Sequence, residues 1–409
     1  MRKPEILAPA GSREMLESAV IYGADAVYLG LDGGLNLRAA ARNFSPDELC
    51  EAVSYAHAHA VRVYLTLNAF PHDHEFAQLA ATLEAARAAK VDALIVADAG
   101  VLATARELAP EIAIHLSTQA NTVNSAAVRF WQAQGVSRVI LARELSAVEI
   151  AAIRQATGAE IEIFVHGSVC ISISGRCQIS HYLNERDPNR GACSQPCRWA
   201  YALTEETRPG QYFPVIEDDG HTYLYNSRDL NLLPLIDQIM GLDVQALKIE
   251  GRNRTSLYVA TITRAYRRAV DAFAAAPANF RLDPELLADV TRVSHREYFT
   301  GFFEAAPVKD AMRYSAGRHE QSHHLAAKVV GINGNRAVLE ARNPLLEGMD
   351  LTWLNPDGAD ESFTLKNALA DGQPVSRLKP NQIFELELPF RPAVGQLLRK
   401  PYSEGDRVL

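Results

Sequence analysis

The chain of 409 residues has few cysteines and no long apolar run, and both features limit what kind of protein it can be. Because a membrane-spanning helix needs about 18 or more consecutive apolar residues, we expect no membrane association. The first ten residues contain no apolar stretch long enough for a signal peptide, which predicts a cytoplasmic protein with reduced thiols. Positive charge is not in excess either. The net charge of −8 argues against non-specific coating of nucleic acid.

The scarce cysteines are clustered in one short segment. Cys50 stands alone, whereas 6, 15 and 3 residues separate Cys170, Cys177, Cys193 and Cys197. Four thiolates this close along the chain can hold one soft metal centre. Zinc usually has shorter gaps between paired cysteines, and two disulfides would need an oxidising compartment. An iron–sulfur cluster tolerates irregular gaps, so it is the favoured interpretation, while zinc and disulfides stay open as alternatives.

Eight short apolar runs alternate with helix-like segments along the first 250 residues. The runs cover residues 5–8, 26–29, 61–65, 93–97, 112–116, 138–142, 160–165 and 246–249. Near-continuous apolar strands joined by helices are typical of a parallel sheet. Eight such units, with no Gly-x-Gly-x-x-Gly after the first, favour an α/β fold of the (β/α)8 TIM-like barrel type over a doubly wound sheet.

Polar side chains follow six of these runs where the strands should end. They are Asn68, Asp98, Gln119, Arg143, His166 and Glu250. Because a parallel barrel places its active site at these ends, we expect at least three of the six to line a substrate cavity. The alternative is that strand ends simply meet turns, and this explanation suffices for Asp98 as a helix cap. We assign catalytic roles to Gln119, Arg143, His166 and Glu250, with His166 as a candidate general acid or base.

The cysteine segment, residues 166–200, is predicted to be an elaborated loop after the seventh strand, beside the mouth of the barrel. Its metal centre could take part in chemistry or could only hold the loop together. Asn68, Arg176 and Arg252 are predicted to bind substrate there, because guanidinium groups recognise carboxylates through paired hydrogen bonds. The structural alternative for the arginines is a salt bridge to Glu144 or Glu250.

The chain is long enough for two domains, and the composition changes after residue 313. We predict the barrel, with its iron–sulfur loop, over residues 1–320. Short alternating strands and an Asn-Gly turn predict a small antiparallel β-barrel with a binding role over residues 325–409. A helix predicted over residues 257–275 carries Arg264, Arg267 and Arg268, which lie either on a solvated face or against phosphates.

Several motifs resemble those of peptidase family U-thirty-two, the collagenase-like peptidases. They include Glu162–Cys177, Leu7–Ser12, His115–Gln119 and Leu247–Arg252. Within the family, the segments 184–189 and 193–199 most resemble the tRNA hydroxylation protein P branch. That resemblance implies prephenate-dependent 5-hydroxylation of the wobble uridine of tRNA. It also implies a [4Fe-4S] cluster on Cys170, Cys177, Cys193 and Cys197, with tRNA and prephenate or a similar small dicarboxylate as partners.

Other functions within the resemblance are kept as alternatives. Relatives hydroxylate ribosomal RNA or support hydroxylation of a ubiquinone precursor, and a non-catalytic cluster-bearing assembly factor is a further possibility. The family name suggests a peptidase, but the chain has no His-Glu-x-x-His and no Gly-x-Ser-x-Gly motif. We therefore expect an RNA-modifying enzyme rather than a peptidase.

Overall fold

A computed structural model describes residues 2–39, 42–170, 172–173, 176–177, 179–196, 216–218, 221–223, 228–304 and 320–402. Its first group of strands comprises β1 (Glu5–Pro9), β2 (Ala26–Leu29), β3 (Arg62–Leu67), β4 (Ala93–Val96), β5 (Ala113–Leu116), β6 (Arg138–Ile140), β7 (Glu160–Ser168), β8 (Ile216–Asp218), β9 (His221–Tyr223), β10 (Asp229–Asn231), β11 (Ala246–Ile249) and β12 (Tyr298–Phe299). The helices are α1 (Arg13–Ile21), α2 (Pro46–Ala58), α3 (Phe76–Ala89), α4 (Ala99–Leu108), α5 (Ser125–Ala133), α6 (Ala147–Thr157), α7 (Ile179–Asn184), α8 (Ile236–Gly241), α9 (Ser256–Ala275) and α10 (Pro284–Val290).

Eight of these strands form a closed parallel barrel. Strands β1 to β7 pair in sequence order, and β11 pairs in parallel with both β1 and β7. This closure confirms the predicted (β/α)8 architecture, and all eight strands coincide with the predicted apolar runs. The sequence did not predict β10 and β12, which extend the sheet beside β7, or the hairpin of β8 and β9.

Local sequence explains where several barrel helices begin. The Ser45 side chain accepts a hydrogen bond from the Glu48 backbone, and Glu48 in turn accepts one from the Ser45 backbone. This reciprocal pair satisfies two amide groups that the first turn of α2 would otherwise leave unpaired. Asp98 caps α4 through the backbone N–H groups of Gly100 and Val101, as predicted. Asp98 therefore has a structural role.

A β-bulge interrupts the pairing of β7 with β11 near the carboxyl end of the barrel. Lys248 pairs with Phe164, but the next residue, Ile249, pairs with His166, so that Val165 is the extra residue. Side chains alternate between the two faces of a strand, and one inserted residue reverses the alternation beyond it. His166 therefore points out of the barrel, although it follows the inward-facing Phe164 by two positions.

An antiparallel sheet of eight strands lies at the carboxyl end of the described chain. The strands of this region are β13 (His323–Asn333), β14 (Arg336–Ala341), β15 (Leu345–Leu346), β16 (Asp350–Trp353), β17 (Glu361–Thr364), β18 (Leu369–Ala370), β19 (Gln373–Pro374), β20 (Arg377–Leu378), β21 (Ile383–Glu387) and β22 (Leu397–Pro401). The sheet order is β17-β16-β22-β13-β14-β21-β18-β19, and β15 pairs separately with β20. The sheet has its own apolar core, which includes Val329, Leu339 and Phe384.

Buried polar contacts join this sheet to the barrel. The junction cluster consists of Arg264 on α9, Asp289 on α10, Asp360 before β17 and Arg399 on β22. Arg264 and Arg399 each bind both aspartates. The two interpretations considered for the α9 arginines are therefore wrong for Arg264, which is neither solvated nor open to a phosphate. Arg267 also has carboxylate partners, Asp25 and Asp271.

The part of the chain that the structure describes contains no candidate membrane-spanning helix. None of these helices combines the length and the apolar composition that a membrane span requires. The predicted division at residues 320–325 and the binding role of the carboxyl-terminal domain stay predictions. The two regions do have separate apolar cores, although Leu354 and Leu397 of the second region pack into the barrel core.

Candidate active site at the mouth of the barrel

A cavity of about 180 Å³ opens at the carboxyl ends of the barrel strands. Five of the seven residues with a predicted catalytic or substrate-binding role line it, and they are Asn68, Gln119, Arg143, Glu250 and Arg252. Aromatic and aliphatic side chains form the rest of its inner wall, including Tyr28, Ile95, Ile140 and Phe164. Apolar walls with a few converging polar groups are typical of a small-molecule site.

Glu250 is one of two acidic residues in the cavity lining, with Glu144, and its carboxylate has partners within the wall. Its carboxylate accepts hydrogen bonds from Arg38 over 3.1 Å and from the Tyr28 hydroxyl over 3.2 Å. Burial alone would raise the pKa of Glu250, but the guanidiniums of Arg38 and Arg143 outweigh it and hold the pKa below its ordinary value. Glu250 is therefore ionised at neutral pH. Gly167 allows its close approach, because a Cβ there would lie 2.4 Å from the Glu250 carbonyl oxygen.

Arg143 presents a guanidinium that is only partly used by the protein. Its Nη1 donates to the Ser168 carbonyl oxygen over 2.7 Å, and its Cζ lies 3.8 Å from the centre of the Phe164 ring. Its Nε has no hydrogen-bond acceptor among the described residues. Stacking on an aromatic ring fixes the plane of a guanidinium while leaving its edge open to an anion. Arg143 is therefore suited to bind an acidic group in the cavity.

Gln119 and Asn68 occupy different environments in the cavity wall. The Gln119 residue is 6% exposed, and its Oε1 has no hydrogen-bond donor within the described chain. Asn68 instead accepts a hydrogen bond from the Leu37 backbone over 3.2 Å, which ties the β3 end to the loop before α2. An orphaned buried amide oxygen costs free energy unless a ligand or water donates to it. Gln119 is thus the better candidate for a ligand contact.

Arg252 belongs to the cavity lining but is almost fully buried in it. Its guanidinium donates to Asn36 over 3.2 Å, to Thr66 over 3.3 Å and also to Asn43. Desolvation by burial lowers its pKa to about 10. The predicted salt bridge to Glu144 or Glu250 is not the contact that holds it. Its partners are neutral, so Arg252 braces the loop between β2 and α2.

Lys248 and Glu162 form a charged pair at the floor of the cavity that sequence reasoning missed. The Lys248 amine donates to Glu162 Oε1 over 2.9 Å, and the two side chains are 4% and 0% exposed. Lys248 lines the cavity, whereas Glu162 lies deeper in the barrel beside Arg138. The signal was available, because Lys248 precedes Glu250 by two positions in an otherwise apolar strand and therefore shares its face.

His166 is not part of the cavity lining, and its predicted position is corrected. Its ring lies among Tyr258, Tyr266 and Tyr298 on the outer side of β7, with Nε2 3.2 Å from the Tyr298 hydroxyl. The bulge at Val165 causes this placement. Burial lowers the pKa of His166 to about 3, so its imidazole is neutral over the physiological range. Its predicted role as an acid or base has no support from this geometry.

The described residues of the cysteine segment contribute to the cavity lining, at the barrel mouth where a loop after the seventh strand was predicted to lie. Arg176 is not in the lining, but its Nε donates to the Gln119 carbonyl oxygen over 2.8 Å, and its Cζ lies 5.0 Å from the Phe70 ring centre. Asn189 holds the backbone of Cys177 by accepting from its N–H over 3.2 Å and donating to its carbonyl oxygen over 2.9 Å. Arg176 thus anchors the segment to the barrel.

Three of the four predicted metal ligands meet at this cavity. Cys170, Cys177 and Cys193 all line it, while Cys197 lies outside the described residues. The pKa of the Cys170 thiol is raised, first by desolvation and then by its two neighbouring thiols. All described cysteines are free, and Cys50 lies apart on α2. Within the described residues, no three Cys, His, Asp or Glu side chains are close enough together to hold a metal ion.

The donor set nevertheless has the chemistry that an iron–sulfur cluster requires. Backbone N–H groups of Ile179 and Gln195 lie 3.4 Å from the sulfur atoms of Cys177 and Cys193. Hydrogen bonds to sulfur stabilise cluster thiolates and tune the potential of the cluster. Cysteine thiols with amide groups directed at two of them therefore fit such a group.

Comparisons with known proteins place the chain in a family. Residues 11–313 match the sequence profile of Peptidase family U32. The chain is 34% identical over 403 residues to tRNA hydroxylation protein P1 of Bacillus subtilis, which covers 98% of this chain and 95% of that protein. Its identity to the 23S rRNA 5-hydroxycytidine C2501 synthase of Escherichia coli is 38% over 269 residues, or 66% of this chain and 39% of that one. A Porphyromonas gingivalis protein named Collagenase is 32% identical, with 78% of each chain covered. The chain belongs to Peptidase family U32.

Proposed function

We propose that this protein is an RNA-hydroxylating enzyme whose substrate is the wobble uridine of tRNA, modified at C5 in a prephenate-dependent reaction. The observation that carries the proposal is the cavity at the barrel mouth, where Arg143, an orphaned Gln119 amide and three cysteine thiols converge. The name of the relative that matches along nearly its whole length supports tRNA as the substrate. The predicted cytoplasmic location is part of the proposal.

A [4Fe-4S] cluster on Cys170, Cys177, Cys193 and Cys197 is the proposed cofactor. When bound, such a cluster supplies one-electron transfer and an electron-deficient metal surface beside the cavity. The chain's own residues would then position the small reactant. Arg143 would bind an acidic group through its open edge, and Gln119 would accept a hydrogen bond from a hydroxyl.

Glu250 and Arg176 have proposed roles that do not require contact with the reactant. Glu250 holds Arg38 and Tyr28 in the cavity wall, so its charge fixes neighbouring donors. Arg176 attaches the cysteine segment to the Gln119 backbone, which keeps the thiols over the cavity. Asn68 and Arg252 brace the loop after β2. These contacts preserve the shape of the site.

The alternative functions differ in what they require of the site. A peptidase would need a nucleophile with an adjacent base, but the His166 ring contacts tyrosine hydroxyls outside the barrel rather than Ser168 or Cys170. Hydroxylation of another RNA would use the same cavity residues. It is the second candidate because one relative is named as a ribosomal RNA 5-hydroxycytidine synthase. A ubiquinone precursor or a role in cluster assembly has no specific observation in its favour.

The test compares the nucleosides of a deletion strain with those of its parent. Both strains are grown without oxygen, so that an oxygen-dependent pathway cannot replace the lost activity. We expect 5-hydroxyuridine derivatives to disappear from tRNA and to return with the wild-type gene. Unchanged tRNA with loss of a hydroxylated ribosomal nucleoside would favour the second candidate. Cleavage of gelatin by the pure protein would instead revive the peptidase alternative.

A further inference from the structure

The charged pair of Lys248 and Glu162 occupies a place where a TIM barrel normally has apolar side chains. Branched aliphatic residues usually fill the barrel interior, and a buried ion pair seldom stabilises a fold more than apolar residues of the same volume. The Lys248 amine nevertheless lies inside the barrel, 4.6 Å from the Tyr28 ring centre and 5.4 Å from the Phe164 ring centre. A pair this costly at the floor of a cavity indicates a role in binding.

Glu250 and Arg252, two other charged groups of the cavity, are held by several partners each. Glu250 has its hydrogen bonds from Arg38 and Tyr28, and Arg252 has three neutral oxygen partners. The Lys248 amine has three donors, of which Glu162 accepts one. Desolvation lowers the pKa of Lys248, and the Glu162 carboxylate opposes that shift. Arg38, the remaining cation of the lining, is paired with the cavity carboxylate of Glu250. Lys248 pairs with a carboxylate outside the lining, and Arg143 donates to a backbone oxygen, so these two cations are the ones that we consider for an anion.

Both of these cations lie close to the Phe164 ring. The Arg143 Cζ is 3.8 Å from its centre, and the Lys248 Nζ is 5.4 Å away. The cavity of about 180 Å³ is smaller than the roughly 300–1,000 Å³ typical of drug-sized ligands. A small molecule with an acidic group at each end could therefore reach one cation near the rim and one at the floor while its carbon skeleton contacts Phe164.

We propose that Lys248 is a specificity-determining residue that binds one carboxylate of a small dicarboxylic acid, while Arg143 binds the other. The inference rests on the proposed function, because prephenate is a compact acid of this kind. Glu162 orients the amine, and Gln119 supplies an acceptor for a hydroxyl of the acid. Lys248 therefore makes the cavity prefer a dicarboxylate over the corresponding monocarboxylate.

The test measures the binding of two acids to the anaerobically purified full-length protein by calorimetry, in the absence of RNA. Prephenate has two carboxylates, and phenylpyruvate keeps the oxo acid but lacks the ring carboxylate and the ring hydroxyl. The effect of the Lys248 substitution is therefore compared for each acid separately. Lys248→Met is combined with Glu162→Gln, so that no buried carboxylate is left unpaired. The double variant should lose about tenfold or more in affinity for prephenate and change little for phenylpyruvate. Lys248→Arg tests the shape of the donor while keeping its charge.

Lys328→Met is the matched control, because Lys328 donates to Glu17 over the same 2.9 Å but lies outside the cavity. Equal prephenate affinity of the double variant and the wild type would overturn the inference, and so would a wild-type protein that binds neither acid. Neither result depends on RNA. If the deletion strain keeps its 5-hydroxyuridine derivatives while the purified protein still prefers prephenate, tRNA is rejected as the substrate. The proposed role of Lys248 then still stands.

Discussion

Arg264 Nη2 lies 2.5 Å from Asp289 Oδ2, and both side chains are only 2% exposed. Asp289 also binds Arg399 over 2.5 Å, so one carboxylate of the barrel region joins a helix arginine to a strand of the carboxyl-terminal sheet. Burial alone would raise the pKa of Asp289, but the two guanidiniums outweigh it and hold the pKa at about 2. The junction cluster therefore fixes the sheet against the barrel.

Removing the charge of Asp289 should destabilise the protein strongly. Asp289→Asn leaves two buried guanidiniums with half of their carboxylate partners, and breaking a buried pair costs about 3–5 kcal/mol. Denaturant unfolding at pH 7 measures the change. Asp243→Asn is the control, because Asp243 pairs with Arg154 at a site where Asp243 is 62% exposed, and we expect less than about 1 kcal/mol there. Equal effects of the two substitutions would contradict the proposed role of the cluster.

The barrel could be predicted from the sequence because each of its strands is a separate apolar run. Buried parallel strands need no polar face, so the pattern is continuous and easily recognised. The strand ends were predictable for the same reason, and they located Asn68, Gln119, Arg143 and Glu250 in the cavity wall. A bulge leaves no such pattern. Nothing in the composition around Val165 shows that the alternation reverses before His166.

Pairing partners were the second feature that the sequence did not reveal. The arginines of α9 looked like a basic face, yet Arg264 and Arg267 meet aspartates that are distant along the chain. Arg252 looked like a carboxylate donor, yet neutral side chains surround it. Which charges meet depends on tertiary contacts, and residue spacing carries no information about those.

The buried His166 ring should make stability depend on pH in the acidic range. Its pKa of about 3 in the folded protein lies below its ordinary value of roughly 6.5, so the unfolded chain takes up the proton first. The stabilisation is complete above about pH 6.5 and is lost as the pH falls from there toward about 3. His166→Gln should reduce the slope by about 1.4 kcal/mol per pH unit between roughly pH 6 and 4.

Unfolding titrations at several pH values measure this slope. Tyr298→Phe serves as the control, because it removes the hydroxyl bonded to the ring and leaves the imidazole in place. A slope that is unchanged in His166→Gln would show that the ring is already protonated in the folded protein. In that case a role as general acid would again be open.

The cysteine segment should bind iron and inorganic sulfide rather than zinc. Anaerobic purification followed by iron and acid-labile sulfide analysis should give about four of each per chain. Cys193→Ala combined with Cys197→Ala should abolish both signals, because half of the ligands are lost. Cys50→Ala is the matched control and should bind as the wild type does, since Cys50 lies on α2 outside the cavity lining. Stoichiometric zinc without sulfide would contradict the proposal.

Arg143 and Arg252 should respond differently to the same charge-preserving substitution. Arg143→Lys keeps a positive charge at the cavity but loses the planar stack on Phe164 and the open guanidinium edge. Because Arg143 is half-buried and has one backbone acceptor, we expect little change in thermal stability but loss of 5-hydroxyuridine in the complemented deletion strain. Arg252→Lys cannot reproduce the fork of hydrogen bonds to Asn36, Asn43 and Thr66, and each hydrogen bond to a charged group that is lost costs about 1.5–3 kcal/mol. It should therefore lower the melting temperature as well as the 5-hydroxyuridine content of tRNA.

Normal tRNA modification by Arg143→Lys would identify Arg143 as scaffold and place the acid-binding contacts elsewhere in the cavity.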